Sequence, residues 1–350
     1  MIQVMGWVLP VLLATVREVS AGSDLAAAAA ASRDGDVLRL GPGEHHGSLG
    51  RLGGTIRIEG AGLGRTEVVA PEGEDGLVVT GGDVSVAGLA LRAGQGRAGV
   101  KVLGGVARIA DAALVGGAAG AFVDGGRLEG TGVELSGGYG LLARAGAAIL
   151  EDGSARGERD GVAILRGARA VLRRFALTGP SGEAGLALSG GEATLEAVVI
   201  RSPGPSGAAV DGGGVLEAVE LDVWGTVERE GMLGDCLQVR RGTVRLTGGA
   251  LVGCGGAAVE AAGGSLSLRG VDARGGEAGC VVVVEGAAAE LVGNVCAGHG
   301  PGLVAASGAR AAARMNRWRT DPAMWVDCGA GARIEVGRGE SVRAPCRAAP

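Results

Sequence analysis

The chain has 350 residues, of which 72 are glycine, yet 47% of it is hydrophobic, a content too apolar for a disordered glycine tract. Four Trp, two Phe and one Tyr leave a core to be built from Val, Leu, Ile and Ala, which suits a narrow interior better than a wide globular one. A formal charge of −5, scattered arginines and a single lysine, Lys101, argue against a nucleic-acid-binding footprint.

Residues 1–21 contain an apolar run from Met5 to Val16, followed by the small-residue stretch Val19-Ser20-Ala21. That pattern reads as a secretory leader cleaved before Gly22, although no basic residue precedes the run and Pro10 interrupts it. The run is too short for a membrane span and no second one follows, so no integral membrane domain is expected. Residues 22–75 form an N-terminal region. It opens with an alanine-rich helix from Asp24 to Ser32, with Ser23 or Asp24 as its N-cap.

From residue 76 to 346 a segment of the form Gly-apolar-x-apolar-x returns at intervals of 20 to 29 residues. Its first apolar position runs Leu77, Val100, Ala121, Leu141, Val162, Leu186, Ala208, Leu237 and Ala257, and its second runs Val79, Val102, Val123, Ala143, Ile164, Leu188, Val210, Val239 and Val259. The spacing of two places both on one face of a short strand. The residues between and after them, including Lys101, Asp124, Arg144, Asp211 and Arg240, tolerate charge and should face outward. A slip of one residue would bury Asp211 and Arg240, so the pattern fixes the register. Second and third strands, such as Val84-Ser85-Val86 and Leu89-Ala90-Leu91, follow with glycine at the corners. One such unit cannot bury its apolar face alone; stacked units make a continuous core. Stacking should set Asp124 against Arg144, and Asp211, Arg240 and Glu260 in one column of alternating sign. The expected fold is an all-β, right-handed single-stranded parallel β-helix with a short N-terminal capping helix. A leucine-rich solenoid is excluded because only Asn294 and Asn316 are available for its asparagine positions.

All six cysteines fall in the last third. No Cys-x-x-Cys occurs, and disulfides in an oxidising compartment are expected rather than a zinc site. Of the 15 possible pairings, Cys236–Cys254, Cys280–Cys296 and Cys328–Cys346 are the first choice.

The stretch Asp34-Gly35-Asp36-Val37-Leu38-Arg39-Leu40-Gly41-Pro42-Gly43-Glu44-His45, followed by Thr55 to Gly60 and by Gly62-Leu63-Gly64-Arg65-Thr66, resembles the opening of the pectin-lyase-like right-handed β-helix superfamily. The resemblance covers about residues 24 to 346. It implies the fold and says little of activity. Members that cleave acidic polysaccharides use clustered carboxylates for calcium with a Lys or Arg base, and hydrolase members use paired or triple Asp. Neither pattern stands here as a block.

The longest repeat interval, from Asp211 to Arg240, holds a loop with Trp224, Glu228, Arg229, Glu230 and Asp235. A tryptophan for stacking beside carboxylates and a guanidinium is suitable material for proton transfer or metal capture, so these residues, with Asp211 and Arg240, are the candidate site. The bland alternative is a solvated insertion. Glu72, Glu74 and Asp75 are weaker candidates for calcium, which the lyase alternative alone would require. His45 and His46 read as a surface pair, and Glu158, Arg159 and Asp160 as a solvated corner. The expected role is a structural or carbohydrate- or partner-binding β-helix in a secreted, periplasmic or cell-envelope setting, without a cofactor. Its partner would be a polysaccharide or another envelope protein. A polysaccharide lyase or glycoside hydrolase acting near Trp224 is the alternative.

Overall fold

The computed structural model describes residues 14–179, 183–202, 204–228, 234–320, 324–326 and 331–337. Every ladder between its named strands is parallel, and each strand pairs with the equivalent strand one repeat on, so the chain winds as a β-solenoid of about 13 turns. Val100 lies opposite Leu77 and Ala121, and Leu141 opposite Val162. The paired inward residues are enclosed: Val100, Val102, Ala121, Val123, Leu141, Ala143, Val162 and Ile164 are all at 0% exposure. Burial of one such Val or Ile side chain contributes roughly 1.5–3 kcal/mol, which makes the file of aliphatic residues the dominant stabilising term. The run Val106–Glu151 stays extended through its corners, because Gly and Ala dominate there and let the chain turn without leaving the ladder.

Glycine is demanded at one repeated position, the residue before the first inward apolar one. A Cβ on Gly99, Gly140 or Gly161 would meet the carbonyl oxygen of the next coil at 2.8, 2.6 and 2.6 Å. The column changes to cysteine at Cys236 and Cys280, and both pair as expected: Cys236 with Cys254 (Cα–Cα 5.3 Å) and Cys280 with Cys296 (6.0 Å). Each bridge joins the first strand of a coil to the end of its third strand region, tying the coil across its own section. Cys328 and Cys346 lie outside the described residues.

The register departs from the sequence reading in one coil. Leu237 lies opposite Val259, and Val239 opposite Ala261, so the inward columns continue through Val259 and Ala261 rather than Ala257 and Val259. The repeat there is Ala-Ala-Val-Glu-Ala-Ala, and a shift of two residues keeps the inward and outward parity, so alternation alone could not choose. Glu260 therefore stands opposite Gln238, which donates to it at 3.3 Å, and Arg240 stands opposite Ala262. The Asp124–Arg144 pair forms at 3.8 Å. Asp211 lies opposite Arg240 but ion-pairs with Arg241 at 3.2 Å.

Near the N-terminus the helix is shorter than expected, Leu25–Ala30, with Asp24 as N-cap accepting from the Ala27 N–H; its Leu25 and Ala29 join the apolar core. Val16–Val19, inside the expected leader, forms a strand paired with Val37–Leu40. His45 is fully buried, with its Nε2 at 2.9 Å from the Gly41 carbonyl oxygen, and only His46 is at the surface. His45 alternates with Glu44 and His46 on its strand, and that parity carries its ring inward. The two asparagines stack in the core: Asn294 Oδ1 accepts from the Val271 N–H, and Asn316 Oδ1 accepts from both the backbone N–H and the Nδ2 of Asn294. They satisfy backbone groups at a corner where earlier coils are filled by Phe175, Val198 or Leu221.

Candidate functional site

Among the described residues, those proposed from the long repeat interval are not gathered in one place. Trp224 ends the third strand of its coil, opposite Arg201 and Val252, with 45% of its surface exposed. Glu228 is exposed beyond it, and Arg229 and Glu230 lie outside the described residues. Asp211 and Arg240 sit on the outer face of the first strands, where with Glu183 and Gln238 they line a shallow concavity of about 340 Å³ that Trp224 does not reach. Asp235 is 1% exposed; its Oδ1 accepts the Ala257 N–H at 2.7 Å. Burial first, and then a hydrogen bond shared with the Glu260 carboxyl, push Asp235 up to about 7.

Asp235 belongs to a recurrent device. Asp75 and Asp160 occupy the same entrance to the first strand in earlier coils, Asp160 three coils before it, and their Oδ1 atoms accept the N–H of Ala98 and Ala184 at 2.8 and 2.9 Å. The carboxylate holds one coil to the next at a point where the ladder would otherwise leave an N–H unpaired. Asp160 is thus buried rather than part of a solvated corner, and desolvation raises it to about 6. Asp75 is likewise committed to the backbone, while Glu72 and Glu74 point into solvent. Among the described residues no group of three or more His, Cys, Asp or Glu is placed to hold a metal ion.

A groove not found from sequence crosses four coils at the corner between the third and first strands, with a volume of about 1110 Å³. Its floor is main chain at Gly94, Gly116, Gly117, Gly137 and Gly138, and its polar walls carry Arg92, Arg156, Arg159, Glu158 and Ser136. The floor is bare for a steric reason: a Cβ on Gly116 or Gly137 would lie 2.2 or 2.1 Å from a carbonyl oxygen. Arg159 stands over the ring of Tyr139, 5.4 Å from its centre. On the adjoining outer face Lys101 and Arg144 approach the Phe122 ring at 5.4 and 5.9 Å. The only tyrosine, the only lysine and one of the two phenylalanines of the chain therefore fall within neighbouring coils. That concentration was the signal available in the sequence. Arg92 is held by Glu67 at 2.7 Å, whereas Arg156 has no ion-pair partner among the described residues.

No known protein family pattern matches the sequence, and no curated protein matches it either. Solved structures do. Tailspike gp42 of Acinetobacter phage vb_AbaP_AS12 is similar over 86% of this chain and 56% of its own length, with a TM-score of 0.52 and 8% identity. The chain has a parallel β-helix fold. Pectate lyase Pel9A is similar over 96% of this chain and 81% of its own, with a TM-score of 0.42 and 13% identity. The Dettilon tailspike protein is similar over 89% and 64%, with a TM-score of 0.45 and 12% identity. This β-helix thus spans 56% and 64% of the two tailspikes it resembles. No helix among the described residues is long and apolar enough to cross a membrane.

Proposed function

We propose that this β-helix is a carbohydrate-binding protein of a secreted or envelope setting, and that it holds a glycan in the groove walled by Arg92, Arg156 and Arg159 without cleaving it. The groove itself carries the reading: a concavity of about 1110 Å³ with a main-chain floor, three guanidinium groups and an adjacent tyrosine ring offers many donors and an apolar edge to a ring rich in hydroxyls. Two disulfides inside the coils support an oxidising location. The similarity to tailspikes and to a pectate lyase is in keeping with a polysaccharide partner.

Catalysis is not part of the proposal, because among the described residues the carboxyl near Trp224 that stays protonated toward neutrality, Asp235, is occluded and engaged with the backbone. The test is a glycan panel titrated by calorimetry against the full chain and two variants. Arg159→Ala removes one donor wall, and Ser136→Trp fills the groove from an outward position. Binding to at least one glycan, weakened by Arg159→Ala and abolished by Ser136→Trp with unchanged melting, is expected. Absence of binding across the panel would overturn the reading. Calcium-dependent release of unsaturated sugar that is lost in Glu228→Gln would put a lyase in its place.

A further inference from the structure

On the second-strand face outward arginines are neutralised by neighbouring coils: Arg108 lies between Asp83 and Glu129, Arg173 between Glu151 and Glu196, and Arg245 meets Glu217. The outer surface of the first strands leaves its charges unanswered. Its central column passes through Ala163 and Ala187, which lie opposite each other. From Ala163 it continues coil by coil toward the N-terminus as Leu142, Phe122 and Lys101. From Ala187 it continues the other way as Ala209, Gln238 and Glu260. Two residues further along the same strands, Arg144 and Asp124 flank one side, and Asp211 and Arg240 the other. Among the described residues Lys101 and Arg240 have no ion pair and Glu260 has no cation, while Arg144 reaches Asp124 only at 3.8 Å. The relief is uneven as well. Phe122 and Leu142 stand half-exposed on one side, whereas Ala187 and Ala209 line the shallow concavity of about 340 Å³ on the other.

We propose that two copies of this chain pack face to face through this surface with their solenoid axes antiparallel, about a two-fold axis running along the strands between the coils of Ala163 and Ala187. Such an axis preserves position along the strand and inverts the order of the coils, so each residue meets the one equally far from the axis on the other side. In the second coil out Arg144 meets Asp211 of the other copy, in the third Asp124 meets Arg240, and in the fourth Lys101 meets Glu260. All three contacts are opposite in sign. The same operation lays Leu142 over Ala209 and Phe122 over Gln238, so the ridge of each copy enters the concavity of the other. A two-fold parallel to the solenoid axis would instead set each coil against itself, Lys101 against Lys101 and Glu260 against Glu260, and like charges so placed repel. The area is adequate. From the coil of Val78 to that of Val282 the face runs about 43 Å, and five residues give it a width of about 16 Å. About 700 Å² per copy, or about 1,400 Å² in all, lies within the roughly 1,200–2,000 Å² of specific interfaces.

Sedimentation velocity on the full chain over a concentration series tests this with Lys101→Glu, Glu260→Lys, both substitutions in one chain, and Arg245→Ser on the second-strand face as control. Wild type and control should be dimers. Each single reversal brings like charges together at both symmetry-related contacts and should raise the dimer Kd about tenfold or more. The doubly substituted chain should dimerise again, because its two reversed charges face each other across the interface. An equimolar mixture of the two single variants should also recover, since each contact then regains opposite signs; a variant that merely folds badly would not be rescued by mixing. A wild type that stays monomeric throughout the series, or a dimer indifferent to both reversals, would overturn the proposal. Weakening by each reversal without recovery in the mixture would overturn the antiparallel register.

Discussion

Replacing Asp235 by Asn should make the protein insensitive to one specific part of the pH scale. The amide is isosteric and its oxygen can still accept the Ala257 N–H, so the coil-to-coil contact survives while the titration disappears. In the native protein burial and the Glu260 carboxyl raise Asp235 to about 7, against about 3.9 in an unfolded chain. The folded state therefore keeps a proton that the unfolded state has released. The associated stability is fully present below about pH 4, declines as pH rises and is gone above pH 7, at a slope of at most about 1.4 kcal/mol per pH unit. After discounting for relaxation of the coupled pair, Asp235→Asn should be more stable than wild type by about 1–3 kcal/mol at pH 8 and about equal to it at pH 4. Denaturant melts at pH 4, 6 and 8 measure this, and amide exchange at Ala257 reports it locally. Asp160, raised to about 6, gives both proteins a residual slope, so the difference between them is the quantity to read. Parallel pH profiles for the two proteins would refute the reasoning.

Gly140→Ala should cost about 1–3 kcal/mol in thermal or denaturant melts, because its Cβ would lie 2.6 Å from the Gly161 carbonyl oxygen and 2.9 Å from the Arg156 nitrogen, both main-chain atoms with little room to move. Asn294→Ala strands the Val271 N–H and removes one partner of Asn316, so a loss of about 1–3 kcal/mol and faster exchange at Val271 are expected. Replacing Cys280 and Cys296 together by Ala removes a closed loop of about the size for which roughly 3 kcal/mol of stabilisation is expected, and the melt of the variant should then be unaffected by reductant at that coil.

The architecture was legible because inward and outward residues alternate so strictly that Val123, Ala143 and Ile164 could be stacked from the sequence alone. The two observed disulfides followed from the order of the cysteines. The coil at Ala257 was misplaced because parity is blind to a shift of two in a run of alanines. The carboxylates that brace one coil against the next were misjudged for a related reason. Asp75, Asp160 and Asp235 sit two residues before an inward apolar position, in phase with the core, but their charge suggested solvent. The candidate site was harder still. Arg92 is far along the chain from Arg156 and Arg159, and each is unremarkable singly; they come together only after the coils are stacked, and the groove among them exists only as space between turns. The long interval at Trp224 drew notice as a break in the repeat, and its described residues are distributed over two faces.

The two bridges change how the molecule would give way under tension. A solenoid pulled from its ends peels turn by turn, since each turn is held mainly by its neighbours. When peeling reaches Cys254 or Cys236, the segment between them, a sequence separation of 18, stays folded back as a covalent ring. At about 3.4 Å per residue that ring withholds about 60 Å of contour, so a force–extension trace in oxidant should show two shortened steps that regain full length once thiols are restored.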